Sequence, residues 1–310
     1  SDFTAPHLFL KINTQIGKFT YQNLFTEFIN RIGSDYAKKY GTFHYLTFDA
    51  TDNLRFGLFE GVIFFDENSS GRGFDINYLN PVILYRTVDH NLGSPDNVLI
   101  GLSATYLPFK NFKLYGQLMF DEFKLNEMRD NPGWWANKYA IQLGFNYIDV
   151  LGIKNLDLTA EFNTARPFTY GHDTLGRVYS HFNTPLAHPA GANFNEILLD
   201  LYYQATKRLH FNAELMFLRQ GLDSMNSNWG ADIFKPYTTR STENESYTLN
   251  GVESTVIYAR FRASYMLKHN LWIDLNGGFR DQQTDLPISS NSLYGGLGLR
   301  LNFWQRDKLF

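Results

Sequence analysis

The sequence predicts an all-β fold, a transmembrane antiparallel β-barrel. Three observations lead to this fold class: segments of about ten residues with alternating apolar and polar side chains, connections that are alternately short and long, and aromatic residues at both ends of the apolar faces. Successive side chains of a strand point to opposite faces of its sheet. Each segment therefore has one apolar and one largely polar face, as a barrel in lipid requires.

Two segments show the alternation most clearly. Residues 112–120 place one set of side chains on the apolar face: Phe112, Leu114, Gly116, Leu118 and Phe120. The opposite face of this segment carries Lys113, Tyr115, Gln117 and Met119. Residues 209–217 repeat the pattern. We therefore expect Leu114 and Leu215 to face hydrocarbon, and the residues directly before and after each of them to face a lumen.

Composition agrees with this fold class. The chain has 17% aromatic residues, with 28 Phe and 19 Tyr. No apolar run approaches the ~18 residues of a membrane-spanning helix, so a crossing must be made by strands that satisfy each other's backbone groups. The absence of cysteine excludes disulfides and thiolate metal sites. A net charge of -3 argues against nucleic acid as a partner.

The positions of turn-forming residues along the chain predict about thirteen strands. Short turns are predicted near residues 17–18, 51–53, 108–111, 152–155, 207–208 and 268–270. Longer connections are predicted at residues 29–41, 66–96, 125–136, 167–193, 221–253 and 282–291. Short and long connections alternate throughout, as expected if the turns lie at the periplasmic rim and the loops lie outside the bacterial outer membrane.

Aromatic residues on the apolar parity mark both rims of the predicted wall. Those near the short turns are Tyr106, Phe112, Tyr147, Tyr203, Phe211, Tyr265 and Phe303. Those near the long loops are Phe120, Tyr139, Phe162, Phe217 and Phe279. At ~3.3 Å per residue and a tilt near ~40°, the two girdles bracket roughly 20 Å, close to the ~25 Å apolar band of such barrels. A soluble sandwich or solenoid with an aromatic core is the alternative.

We treat residues 1–310 as one barrel domain and expect it to be incomplete. The last strand, residues 293–303, is predicted to run inward, and so is the first strand, residues 8–16. Single-chain bacterial barrels usually have an even number of strands with both ends inside. The chain is therefore predicted to be the C-terminal part of a larger barrel. The alternative is one further strand hidden within residues 74–88.

One motif carries a family resemblance. The residues concerned are Tyr78, Leu79, Asn80, Pro81, Val82, Ile83, Leu84, Tyr85 and Arg86. They resemble the Leu-Asn-Pro-Val motif of outer-membrane proteins of the Wzi-like capsule-assembly family. Further stretches resemble its Bacteroidota branch, which includes gliding-motility-associated outer-membrane proteins: residues 93–97, 117–123, 133–135, 147–158, 166–170 and 185–195. The resemblance implies a role in handling or retaining surface polysaccharide.

Charged residues of the inward parity are segregated along the chain. Acidic ones come first: Asp121, Asp157, Glu161 and Glu214. Basic ones follow in the last three strands: Arg260, Arg262, Arg280 and Arg300. Lys113 and Asp274 break the segregation. Opposed acidic and basic walls could order a polar solute in a pore. Alternatively, these residues pair with one another or hold a plug, which is the interpretation we favour.

Catalytic and metal-binding patterns are weak, and we predict no enzyme, no cofactor and no metal. His172, His181 and His188 share one loop without the spacing of a zinc or hydrolase motif. Asp121 and Glu122 are neighbours in a strand, so their side chains face opposite sides and cannot converge on one glycosidic bond.

The long outer loops are the best place for function. The candidate ligand-binding residues are Trp134, Trp135, Tyr170, Trp229 and Tyr237. Aromatic faces beside amides suit sugars, although the same rings could instead pack the loops together and close the barrel mouth. We predict a non-enzymatic outer-membrane barrel whose partners are membrane lipid and surface polysaccharide. The alternatives are a cell-surface assembly protein that docks a protein partner, and a diffusion porin.

Overall fold

The computed structural model describes residues 4–65, 79–85, 96–121 and 130–301. Thirteen strands form one antiparallel sheet in the order β1 to β8 and then β11 to β15, while β9 and β10 form a separate two-stranded pair. The strands are β1 (Leu8–Ile16), β2 (Phe19–Ile32), β3 (Asp35–Thr51), β4 (Leu54–Phe64), β5 (Asn97–Phe109), β6 (Phe112–Asp121), β7 (Lys138–Tyr147), β8 (Leu156–Ala165), β9 (Ser180–His181), β10 (Thr184–Pro185), β11 (Phe194–Gln204), β12 (Leu209–Leu222), β13 (Val252–Lys268), β14 (Leu271–Thr284) and β15 (Ser290–Leu301). The predicted antiparallel fold is confirmed.

The connections differ from the prediction at two places. The predicted long connection 29–41 is wrong, because β2 and β3 pair up to Ile32 and Asp35 and are joined by a tight turn. Gly33 in that turn has a φ of 64°, which suits glycine. The predicted connection 282–291 shortens to residues 285–289. Most of the predicted connection 66–96 and of the alternative strand at 74–88 lies outside the described residues, and so do residues 125–129 of the predicted connection 125–136.

The outer face of the sheet is apolar over most of the wall. One row of register partners crosses β6 to β15 and consists of Leu114, Phe145, Ala160, Leu199, Leu215, Ala259, Phe279 and Leu293. Leu114 and Leu215 are exposed, as predicted. The girdle residues Tyr106, Phe162 and Tyr265 are exposed on the same face. An exposed apolar band between aromatic girdles is the wall of a transmembrane β-barrel of the bacterial outer membrane.

The inner face of the sheet curves around one segment. Residues 166–193, between β8 and β11, touch β2, β3, β5 and β6 on that face. The two edges of the described sheet are β1 and β15. The described residues contain no helix long and apolar enough to cross a membrane, a finding that does not bear on crossing by strands.

Candidate functional site

Residues 166–193, here called the lumen strap, cross the barrel interior from β8 to the opposite wall. Their far end pairs with the edge of β2 beyond the point where β1 stops. The Ile29 N–H donates to His181 Nδ1 at 3.0 Å, and the Phe182 N–H donates to the Ile29 carbonyl at 2.5 Å. The Arg31 N–H donates to Asn183 Oδ1 at 2.7 Å. The strap is therefore anchored to both sides of the lumen.

Buried polar side chains of the inner face hold the middle of the strap. Lys39 Nζ donates to the Val178 carbonyl at 2.5 Å and to Ser180 Oγ at 3.0 Å. Asn97 Nδ2 donates to the Arg177 carbonyl at 2.9 Å. Both wall residues are almost completely buried. Because an irregular segment has no ladder of its own, these side chains supply the partners that its carbonyl groups need.

A buried ion pair holds the start of the strap. Lys138 Nζ lies 2.8 Å from Asp121 Oδ1, and both side chains are fully buried. The second oxygen of Asp121 accepts from the Tyr170 N–H at 2.7 Å. Lys138 Nζ also lies 5.3 Å from the centre of the Tyr237 ring. The pair thus connects the wall, the strap and an outer loop.

The outer mouth is covered by two loop segments, residues 130–137 and 223–251, here called the cap. The Trp135 N–H donates to the Glu243 carbonyl at 3.1 Å, and the Ser246 N–H donates to the Gly133 carbonyl at 2.7 Å. These two hydrogen bonds join the segments into one unit.

Asn193, at the end of the strap, fixes the cap from below. Its Nδ2 donates to the carbonyls of Gly221 and Asn250 at 2.7 and 2.8 Å. Its Oδ1 accepts from the Leu249 N–H at 2.7 Å. Hydrogen bonds of Asn193 therefore join the strap and the cap.

The predicted ligand-binding aromatics do not form one open surface. Trp135 lies 4.8 Å from Tyr237 between ring centres, and the Arg240 guanidinium lies 4.5 Å from the Trp135 ring centre. Trp134 is adjacent, with 6.2 Å between the two indole centres. Tyr170 lies inside the lumen with only 9% of its surface exposed. These rings pack the loops together, which is the alternative that the sequence left open.

Two further aromatic residues complete the description of the cap. Trp229 packs beside Gly251, where a Cβ would come within 3.0 Å of the indole. Tyr247 is the more accessible ring, with 48% of its surface exposed, and it lies against Gly133. Tyr247 was not among the predicted ligand-binding residues, because sequence alone does not distinguish a covered ring from an accessible one.

The predicted inward-facing charges lie on the inner face and pair mainly with neighbours in the wall. Glu214 pairs with Arg260 on the adjacent strand, and Asp274 pairs with Arg300 at 2.7 Å. The other members bind polar groups of the wall. Glu161 binds Tyr115 and Gln142, and Asp157 accepts from the Asp149 N–H. Arg262 donates to Asn276, and Arg280 donates to Ser290 and Gln282. Of the predicted residues, Glu214 and Arg260 thus pair with each other, and the others bind neighbouring groups of the wall or the strap.

A polar vestibule lies on the inner face near the short turns. It has a volume of about 400 Å³ and is lined by Tyr202, His210, Asn212, Arg262, Ser264 and Trp272, among others. The Arg300 guanidinium lies 5.2 Å from the Trp272 ring centre. His210 and Trp272 are not among the site residues predicted from the sequence. The sequence does give one indication of this site, because Trp272 falls among the inward-facing residues of its strand, which are mostly polar.

Burial shifts the pKa values of three side chains of the strap, Tyr170, Tyr179 and His181. It raises the pKa of Tyr179 to about 12, and it raises the pKa of Tyr170 further, with Tyr179 and Asp121 adding to the effect. Burial lowers the pKa of His181, and the nearby His7 and Lys39 act in the same direction. The strap is therefore neutral at these three side chains near pH 7.

Within the part of the chain that the structure describes, no group of three or more His, Asp or Glu side chains could hold a metal ion. His172 pairs with Asp173, whereas His188 Nε2 lies 3.0 Å from Glu196 Oε2. The three histidines of the strap thus have separate partners.

No protein-family model matches the chain, and no curated protein sequence matches it either. Among solved structures, the chain is similar to the NanC porin, with 8% identity and a TM-score of 0.32 over 90% of this chain and 99% of that one. It is similar to the CymD monoaromatic hydrocarbon channel, with 8% identity and a TM-score of 0.35 over 96% and 82%. A Pseudomonas aeruginosa FadL homologue shows 10% identity and a TM-score of 0.35 over 94% and 74%. Similarity at this level carries no argument about function.

Proposed function

We propose that this outer-membrane barrel binds surface polysaccharide at a closed outer mouth and is not a diffusion porin. The observation that carries the proposal is the lumen strap, which crosses the interior and is hydrogen-bonded to β2 on the far side. A constriction loop that leaves a pore open would not need anchors on both walls. The buried pair of Asp121 and Lys138 fixes the strap further.

The chemistry of the cap supports a glycan ligand. Amide groups lie beside the aromatic rings there, and Asn131 Nδ2 donates to Asn244 Oδ1 at 2.5 Å across the two cap segments. Tyr247 is exposed over 48% of its surface, and Trp134 is one of the partly exposed rings in this region. Sugars stack their C–H faces on such rings and hydrogen-bond to neighbouring amides. The sequence resemblance to capsule-assembly proteins agrees with this ligand class.

The closed mouth is tested by conductance. The protein reconstituted in planar bilayers should show little steady current. A variant in which residues 171–190 are replaced by a short Gly-Ser linker should conduct, because the obstruction is gone. Gel-shift on heating checks that the variant is a folded barrel. A large, stable conductance of the unaltered protein would establish the porin alternative instead.

The glycan ligand is tested by retention of polysaccharide on cells. Replacing Trp134 and Tyr247 together by Ala should weaken retention by roughly thirty-fold, because each stacked ring contributes on the order of 1 kcal/mol. The matched control is Tyr106→Ala with Tyr265→Ala, which removes two exposed rings at the periplasmic rim. Unchanged retention by the folded cap variant would favour docking of a surface protein.

A further inference from the structure

The outer face of the wall is interrupted by polar side chains between β2 and β4. One row of register partners there consists of Ile12, Asn23, His44, Glu60, Ile100 and Phe120. His44 lies four residues from Phe48 and four from Tyr40, the aromatic residues toward the two rims of its strand. The polar group thus lies midway across the apolar band. Ionisable side chains at that depth are costly and are by default functional.

An irregular segment, residues 79–85, covers this place and is here called the wall segment. The Leu84 N–H donates to Glu60 Oε2 at 2.8 Å, and the Pro81 carbonyl accepts from the Tyr21 hydroxyl. Irregular backbone is tolerated at membrane depth only where protein satisfies its polar groups. Tyr21 and Glu60 meet that requirement. The wall segment coincides with the Leu-Asn-Pro-Val motif, which the proposed glycan site does not use.

Between the wall segment and the strands lies an apolar groove. Its volume is about 810 Å³, and its lining includes Leu10, Ile12, Ile16, Phe25, Leu46 and Pro81. Asn23 also lines the groove. This size is within the range of small-molecule sites, which are mostly apolar with a few placed polar groups.

The polar groups at the groove are short of hydrogen-bond donors. Glu60 Oε2 lies 3.2 Å from His44 Nδ1 and also accepts from the Leu84 N–H. Among the described residues, the buried atoms Asn23 Oδ1 and His44 Nε2 have no hydrogen-bond partner. Asn23 and His44 are only 5% and 2% exposed. The oxygen of the Asn23 amide is an acceptor, and a buried acceptor without a donor calls for an external one.

We propose that this groove binds an amphiphile that enters from the membrane: an apolar chain or ring system with a hydroxyl head. The apolar body lies between β1, β2 and the wall segment. The hydroxyl donates to Asn23 Oδ1, which lines the groove. A molecule without a donor leaves this acceptor unsatisfied. The site is separate from the strap and cap, so it does not depend on the proposed glycan function.

The test measures binding of decan-1-ol and decane to the detergent-solubilised protein by native mass spectrometry. Decan-1-ol should bind about five-fold more tightly than decane, because one hydrogen bond is gained. Leu46→Trp should fill the groove and weaken binding of both probes at least ten-fold. Leu215→Trp is the matched control, since it adds the same ring to the outer face away from the groove, and it should bind as the unaltered protein does.

Asn23→Leu provides the second, independent variant. It should keep decane binding and abolish the preference for decan-1-ol. The proposal is overturned if Leu46→Trp binds as the Leu215→Trp control does, or if Asn23→Leu keeps the full preference for the alcohol. Folding of each variant is checked by gel-shift on heating, and the two variants do not depend on each other.

Two sources could supply such a molecule, a membrane lipid whose acyl chain carries a hydroxyl or a free amphiphile. Preincubation with vesicles of a phosphatidylcholine with a hydroxylated acyl chain should displace decan-1-ol if the source is lipid. Vesicles of phosphatidylcholine with unsubstituted chains, which lack a donor, are the control. Failure of both lipids to compete identifies a free amphiphile as the ligand, provided that Leu46→Trp still weakens binding of the alcohol at least ten-fold.

Discussion

Two irregular segments lie on opposite faces of the same sheet and are held in different ways. The lumen strap, residues 166–193, lies on the inner face, where Lys39, Asn97 and Asp121 bind its backbone. The wall segment, residues 79–85, lies on the outer face, where Tyr21 and Glu60 do so.

The comparison shows what an irregular segment needs from a barrel wall. The inner face carries apolar residues that pack against the strap, such as Leu99 and Met119, and polar side chains beside them that bind its backbone. The outer face is apolar in the row from Leu114 to Leu293 and offers none there. It becomes polar at Asn23, His44 and Glu60, beside the wall segment. Polar residues on a lipid-facing wall thus mark the place where another segment covers it.

The largest effect is expected at the inner anchor. Lys138→Met keeps the length of the side chain but leaves Asp121 as a buried, uncompensated carboxylate, so the free energy of unfolding in urea should fall by about 3–5 kcal/mol. Adding Asp121→Asn should restore a large part of this loss, because the amide oxygen still accepts from the Tyr170 N–H. A loss below about 1 kcal/mol in the single variant would contradict the role assigned to the pair.

A smaller effect is expected at the outer anchor. Glu60→Leu removes the acceptor for the Leu84 N–H and for His44 Nδ1, and the free energy of unfolding should fall by about 1–3 kcal/mol. Limited proteolysis should then cut within residues 79–85. Glu253→Leu is the control, because Glu253 forms an exposed pair with Arg219 worth about 0–1 kcal/mol. Equal losses in the two variants would show that the wall segment is not held by Glu60.

The strands were predictable where the membrane imposes the pattern. Residues 112–120 and 209–217 alternate because one side chain in two meets lipid, and the structure confirms both. The β2–β3 hairpin was missed because its strands continue beyond the girdles. Lys38, which pairs with Glu27 there, looks like a loop residue in the sequence. Polarity marks the edge of the membrane and not the end of a strand.

The two irregular segments were less predictable, because their partners are distant in sequence. The pairing of His181 with Ile29 depends on β1 ending below that point, which no local pattern indicates. Likewise, Glu60 is a charged residue on the otherwise apolar face of β4. Its position is explained by the wall segment, because Glu60 accepts a hydrogen bond from the Leu84 N–H. The loop aromatics were located correctly on the outer loops, but burial of Tyr170 depends on how the strap folds.

The smallest predicted effect concerns pH at the far end of the strap. His181 Nδ1 accepts from the Ile29 N–H at 3.0 Å, and Nε2 lies 3.4 Å from the Pro6 carbonyl. Burial lowers the pKa of His181 below its ordinary value of 6.5, with His7 and Lys39 contributing. Above pH 6.5 the ring is neutral in the anchored and released states alike. As the pH falls below that value, the released state binds a proton that the anchored state resists, so anchoring weakens.

Hydrogen exchange at the amides of Ile29 and Phe182 measures this anchoring. After correction for intrinsic rates, protection should be lower at about pH 5.5 than at about pH 7.5. His181→Asn retains an acceptor but does not titrate in this range, so it should abolish the difference. His188→Asn, a histidine of the same strap with a separate partner, should leave the difference intact. Protection that falls equally in His181→Asn would assign the pH dependence to another group, and the β2 anchor would then not depend on protonation of His181.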